Sequence, residues 1–150
     1  MRLLVEADVL IDHITRDRRH GFGMQRLLAM ASFGDVELWA SAQAVCDAQC
    51  VVANMTCPEE ARRCLCALLE VLHVCDTSAE QVAAALRDTG GDFEACLTRR
   101  AALAIDAAAV VTRDRRMRHA VTAPPVLAPE EVESFMRNAY GLRYDELVLA

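Results

Sequence analysis

Residues 90–114 read GGDFEACLTRRAALAIDAAAVVTRD, and the stretch changes its periodicity half-way along. Gly90 and Gly91 interrupt whatever precedes them, because neither has a side chain to pack and both leave the backbone free. Asp92 follows as a side chain that can accept from an unpaired N–H of a first helical turn. Phe93, Cys96, Leu97, Ala101 and Ile105 then recur at the spacing of one helical face. From 108 to 112 the pattern is apolar throughout, with no alternation. A strand that lacks a polar face is one covered on both sides, which is the situation of a parallel sheet between helices.

Working outward, the same alternation of elements runs through the whole chain. Extended segments are predicted at residues 2–5, 36–40, 71–75, 108–112 and 126–127. Between them lie helical patterns. Val9, Leu10, Ile11 and Ile14 share one face, as do Met24, Leu27, Leu28 and Ala31, where Gly34 is placed to stop the helix. Ser41 caps a helix over 42–55, and Pro58 with Glu59 and Glu60 opens one ending near Leu69. Ser78 caps a helix running to Thr89, and Pro129 with Glu130 and Glu131 starts a last one ending near Gly141. Each strand must be returned to the same end by a crossover, so the expectation is a single-domain three-layer α/β/α sandwich. Its central parallel sheet has four to five strands. The domain is set at 1–138, with 139–150 as a C-terminal tail packed on or extending the last helix.

Composition narrows the class. The chain has 150 residues, 54% hydrophobic but only 5% aromatic, so its core is built from Ala, Leu and Val. A chain of this length buries about 70% of its unfolded surface and needs neither disulfide nor structural metal. A formal charge of −6 argues against wrapping duplex nucleic acid over the whole surface. The seven cysteines are an odd number with no CxxC pair, and read as small buried hydrophobes in a reducing cytosol. Acids interrupt the apolar start MRLLVEADVLID, so it is no signal-peptide core, and no apolar run reaches membrane-spanning length. A cytoplasmic protein without a membrane partner is expected.

In open parallel sheets ligands bind beyond the carboxyl ends of the strands, so the acids that follow strands are the ones to inspect. Glu6 closes the first strand, Asp47 lies about two turns into the helix after the second, and Asp114 follows the fourth. Carboxylates converging from separate strands suit a hard cation, Mg²⁺ or Mn²⁺, which can activate water and neutralise a phosphodiester. Acids at helix starts also serve as caps, and spacing alone does not separate the two roles.

The opening LLVEADVLIDHI, the segment SAQAVCDA, the run GGDFEACLTRRAALAIDAAAVVTRD and the closing PPVLAPEEV, in that order, resemble the PIN-domain family of metal-dependent ribonucleases. The resemblance implies that Glu6, Asp47 and Asp114 stand at the family's acidic positions and hold metal, with Asp8 close to it. It implies cleavage of single-stranded RNA, in the manner of the toxin of a toxin–antitoxin pair, with an antitoxin protein as partner and a homodimer as assembly. Ala95 departs from the family, which places an Asp there. Asp92, one turn away on the same face, can assist or simply cap its helix, while Glu94 points about 100° around the helix. Asp8 can cap the first helix, with Asp12 one turn on, and Thr112 matches a position that hydrogen-bonds a neighbouring carboxylate.

The pentapeptide TRDRR occurs at 15–19 and again at 112–116. Arg16, Arg18, Arg19, Arg113, Arg115, Arg116 and Arg118 are expected at the sheet edge that carries the acids, as a rim for single-stranded RNA or as solvated loops. Two functions from different classes remain: a metal-dependent ribonuclease, and a catalytically impaired module that binds RNA or protein, which Ala95 favours. A nucleotide-binding domain is poorly supported, since no glycine-rich loop follows the first strand.

Overall fold

The computed structural model describes residues 1–16, 21–121 and 123–144. Five strands, β1 (Arg2–Val5), β2 (Glu37–Ser41), β3 (Leu72–Cys75), β4 (Ala109–Val111) and β5 (Val126–Leu127), form one sheet in the order β3-β2-β1-β4-β5. Every pairing is parallel. β1 is central, with Leu4 registered between Trp39 and Val110. The chain adds strands outward on one side of β1 and then crosses to the other. The order therefore reverses beside β1, and in this architecture the loops part at such a point to leave a crevice.

Helices cover both faces. α1 (Ala7–Ile14), α2 (Gly21–Ser32), α3 (Ala42–Met55), α4 (Pro58–Leu68) and α8 (Val132–Tyr140) share a core with Leu3, Val5, Leu38, Ala40 and Val111. α6 (Phe93–Ala104) and α7 (Arg115–Ala120) pack with Leu4, Val110 and Val126 on the opposite face. α5 (Ala79–Arg87) lies against α6 through Ala85, Cys96 and Leu97. Leu3, Leu4 and Val5 are wholly buried, and each such side chain contributes roughly 1.5–3 kcal/mol. This is the three-layer arrangement expected from the alternation of patterns.

The caps follow the sequence. Ser41 accepts from Ala44 N at 3.0 Å. Ser78 forms a capping box with Gln81, and Asp92 Oδ1 accepts from Ala95 N at 2.8 Å. Three expectations are corrected. Asp8 does not cap α1, whose N-cap is Glu6 without a side-chain cap bond. α7 is a helix where the sequence suggested an arginine-rich loop, since Asp114 caps it and Met117 anchors its inner face. Of the cysteines only Cys75 and Cys96 are buried, whereas Cys46, Cys50, Cys57 and Cys66 lie on outward faces. The last helix ends at Gly141, in the left-handed region at φ 70°. Tyr144 then folds back, buried, and its hydroxyl donates to Asp35 at 2.8 Å. Among the described residues no helix is long and apolar enough to cross a membrane.

Gly23 lets α2 approach the 3-10 turn at Pro129–Glu131: a Cβ there would lie 2.6 Å from Pro129 Cβ and 2.9 Å from Arg113 Nη2. Gly23→Ala gains about 1 kcal/mol of helix propensity but overpacks this contact. We expect a net loss of about 1–2 kcal/mol, read as a lower Tm in thermal unfolding.

Candidate active site

The end of β1 delivers Glu6 to the carboxyl edge of the sheet. Its N–H continues the ladder to Val111 O at 3.0 Å, and its extended backbone leaves the side chain uncommitted to the helix that follows. The carboxyl group is only 6% exposed. Thr98 Oγ1, from α6, donates to Glu6 Oε1 at 3.1 Å. Burial pushes the Glu6 pKa up to about 7, opposed by the Thr98 hydroxyl and reinforced by Asp8, Glu94 and Asp47.

Glu6 opens on a cleft of about 200 Å³ lined by Ser41, Gln43 and Asp47 on one side and Phe93, Glu94, Leu97 and Thr98 on the other. Ser41 is fixed by capping α3, so the first two turns of that helix carry Gln43 and Asp47 along the wall. Gln43 Nε2 donates to both Asp47 oxygens, at 2.9 and 3.1 Å. The opposite wall is set by the loop before α6. There Asp88 accepts from Gly90 N at 3.0 Å and from Arg99 and Arg100, which ties the end of α5 to α6. Glu94 leaves the first turn of α6 towards the cleft, and burial followed by the charges of Asp92, Asp47 and Asp114 raises its pKa.

Glu94 is the cleft-lining acid that the sequence reading set aside. Residues 94 and 98 are one turn apart, and Thr98 faces Glu6, so the i, i+4 pair carried the signal. Ala95, by contrast, is 3% exposed and packs with Leu4, Val110 and Val121. Its side chain belongs to the core, and the acid on this helix that reaches the cleft is its neighbour.

The other acids have different surroundings. Asp92 does not line the cleft and acts as the cap of α6. Asp114 caps α7, accepting from Arg116 N at 2.8 Å, and both of its oxygens meet the Arg116 guanidinium, which lowers its pKa. It too lies outside the cleft lining. Asp8 Oδ2 accepts from Thr112 Oγ1 at 3.0 Å and Arg113 N at 2.6 Å, while its Oδ1 is buried without a partner. Thr112 thus bonds a carboxylate, and its oxygen also accepts from Asp114 N at 3.0 Å.

The arginines divide. Arg113 pairs with Asp12 at 2.8 Å and Glu130 at 2.8 Å. Arg118 pairs with Glu131 at 2.6 Å and, with Arg113, Arg115 and His119, lines an open depression of about 550 Å³ beside α7. Arg16 lies elsewhere, in a groove with His13, Arg63, Cys64 and Val71. The expected common edge does not hold for it, because α1 starts at the carboxyl end of β1 and runs back along the sheet. Arg18 and Arg19 fall outside the described residues.

A family model described as a PIN domain matches residues 2–116. No curated protein matches the chain. Among solved structures, a chain of VapBC2 from Rickettsia felis, crystallised bound to a DNA fragment from their promoter, superimposes with a TM-score of 0.63 at 17% identity. The match covers 85% of this chain and 98% of that one. At that identity the likeness is one of fold.

Two outcomes follow from the burial of these groups. In chelator, the native Glu6 keeps a proton that the unfolded chain releases between its ordinary 4.5 and about 7, so native stability falls as pH rises through that window. Glu6→Gln should remove this slope, gaining on the order of 3 kcal/mol relative to the natural protein at pH 8 over pH 4.5. Denaturant titrations at the two pH values measure it. Ala95→Asp should lose roughly 3 kcal/mol of stability, because it places a carboxyl group against the apolar core.

Proposed function

The chain belongs to the PIN-domain family, and from that premise we propose that it is a metal-dependent nuclease acting on single-stranded RNA, with Mg²⁺ or Mn²⁺ as cofactor. The observation that carries this reading is the meeting of Glu6, Asp47 and Glu94, from three distant segments, in one cleft at the carboxyl end of the sheet. The potential ligands there are all oxygens, the donor set that hard cations prefer. Burial, with a smaller contribution from their like charges, raises the pKa values of Glu6 and Glu94, and a dication would offset both. As they stand, no three acidic, histidine or cysteine groups among the described residues converge tightly enough to hold an ion. The fit is therefore in chemistry and common orientation.

Glu6, Asp47 and Glu94 would hold the ion. When bound, it lowers the pKa of a water and neutralises charge on the phosphodiester. The chain supplies the rest. Thr98 orients Glu6, Gln43 orients Asp47, and the part-exposed ring of Phe93 at the cleft wall offers a surface on which a splayed base can stack. Arg113, Arg115, Arg118 and His119, which line the depression beside α7, would contact backbone phosphates, together with Arg116 from the same helix. The likeness to a VapBC2 chain supports placement in a toxin–antitoxin pair with an antitoxin protein as partner, and the same reading takes a homodimer as the assembly and the cytoplasm as the location.

A second reading, a module that binds RNA without cutting it, is favoured by the distance between the acids noted above. Cleavage of a single-stranded RNA with Mn²⁺ or with chelator separates the two. The nuclease reading expects metal-dependent cleavage that falls at least ~100-fold in Glu94→Gln and roughly 10–100-fold in Thr98→Val, which removes only the group orienting Glu6. Binding with no cleavage by the natural protein would replace it with the second reading.

A further inference from the structure

A second surface meets the cleft at Ser41, which lines it. Side chains two apart on a strand share a face, so Trp39 stands about 7 Å back from Ser41 on the same side of the sheet. Register pairs Ser41 with Cys75 and Trp39 with His73. Trp39, the single tryptophan of the chain, stacks on His73 with ring centroids 4.9 Å apart and planes 29° from parallel. Arg2 holds its guanidinium carbon 5.4 Å from the centre of the Trp39 ring. Because the strand order runs β3-β2-β1, His73 and Arg2 reach the indole from opposite neighbouring strands, and the three side chains form a ladder across the sheet. One Glu37 oxygen fixes its inner end, accepting from Arg2 Nε at 3.2 Å and from Trp39 Nε1 at 3.3 Å, while Arg2 Nη1 donates to Ile105 O at 3.0 Å. The indole is half-buried against the α6 side of the core. His73 is exposed on the last strand of the sheet, and no further ring among the described residues closes the stack beyond it.

We propose that the Arg2–Trp39–His73 ladder is a base-stacking platform outside the cleft, on which His73 takes a base of a single-stranded RNA whose neighbouring nucleotides occupy the cleft. The inference rests on RNA being the ligand, as proposed above, and on no bound ion. Sheet surfaces bind single strands by setting aromatic side chains where unpaired bases can lie on them, and histidine serves as such a ring. Stacking of this kind tolerates any base, since each has a π face. Continuity favours RNA as the occupant over a protein partner. The platform shares β2 with the cleft wall, and a strand leaving the cleft past Ser41 reaches His73 by stepping back along β2 and across one strand spacing, roughly 5–7 Å each. The ladder is also prepared in advance: Glu37 holds the indole and the guanidinium before any ligand arrives, so little side-chain freedom is lost on binding. The exposed ring at the outer end adds little to the core, whereas it leaves one π face open to solvent.

As the single tryptophan, Trp39 reports on its own platform. The protein is mixed rapidly with a short oligoadenylate in Mg²⁺ and Trp39 emission is followed before hydrolysis proceeds; a parallel sample reads binding from the anisotropy of end-labelled RNA. The expected result is a change in Trp39 emission that saturates together with the anisotropy, RNA binding about tenfold weaker in His73→Ala, and near-natural binding in His73→Phe, which keeps a ring. Residue 73 is exposed, so neither variant threatens the fold. RNA that binds without changing Trp39 emission, undiminished affinity in His73→Ala, or an emission change that follows protein concentration without RNA each overturns the platform while the RNA reading stands, the last pointing to a second copy of the chain on this face. Absence of RNA binding by the natural protein overturns both.

Discussion

Glu6 stands where a carboxylate is costly, at the end of a strand buried on both faces and almost cut off from water. The rest of the site is arranged around that constraint. One hydroxyl, Thr98, is supplied to it, and the nearest charged groups are other acids instead of a compensating arginine. A fold concerned only with stability would place an apolar residue here or pair the charge. Retaining it unpaired beside Asp47 and Glu94 is the behaviour of a site that leaves its charge to be balanced by something from outside.

The arginines are accordingly kept from Glu6. Arg113 is held by Asp12 and Glu130, Arg118 by Glu131, and Arg99 and Arg100 by Asp88. These pairs tie helices to loops around the rim. In a chain with sixteen arginines and no lysine, formal charge says little about available charge, because so many of the guanidinium groups are already satisfied by neighbouring carboxylates.

Much of the fold was legible because it rests on periodicity and punctuation. The unbroken apolar run before Thr112 announced a doubly covered strand, and Ser41, Ser78 and Asp92 announced helix starts that the structure keeps. Of the three acids read as converging, Glu6 and Asp47 line the cleft and Asp114 does not. The site was not legible to the level of which side chain turns inward: Ala95 and Glu94 differ by one helical step, and only the packing of α6 on Leu4 and Val110 fixes its rotation. α7 was missed because three arginines and a histidine among six residues leave no apolar period, and a single buried methionine suffices to anchor so short a helix. Asp8 looked like a cap because caps are local, whereas its partners, Thr112 and Arg113, lie more than a hundred residues on.

That last contact bears on when the molecule acquires its chemistry. Thr112 joins Asp8 to Asp114, the central strand finds β4 only from residue 109 onward, and the cleft draws on residues 6, 47 and 94. A nascent chain emerging from the ribosome can fold its first helices and two-strand pieces, yet the hollow has no second wall until most of the domain has been synthesised. A fragment released early therefore carries the first acids without the partners that orient them, and translation delays whatever the cleft does until the chain is nearly whole.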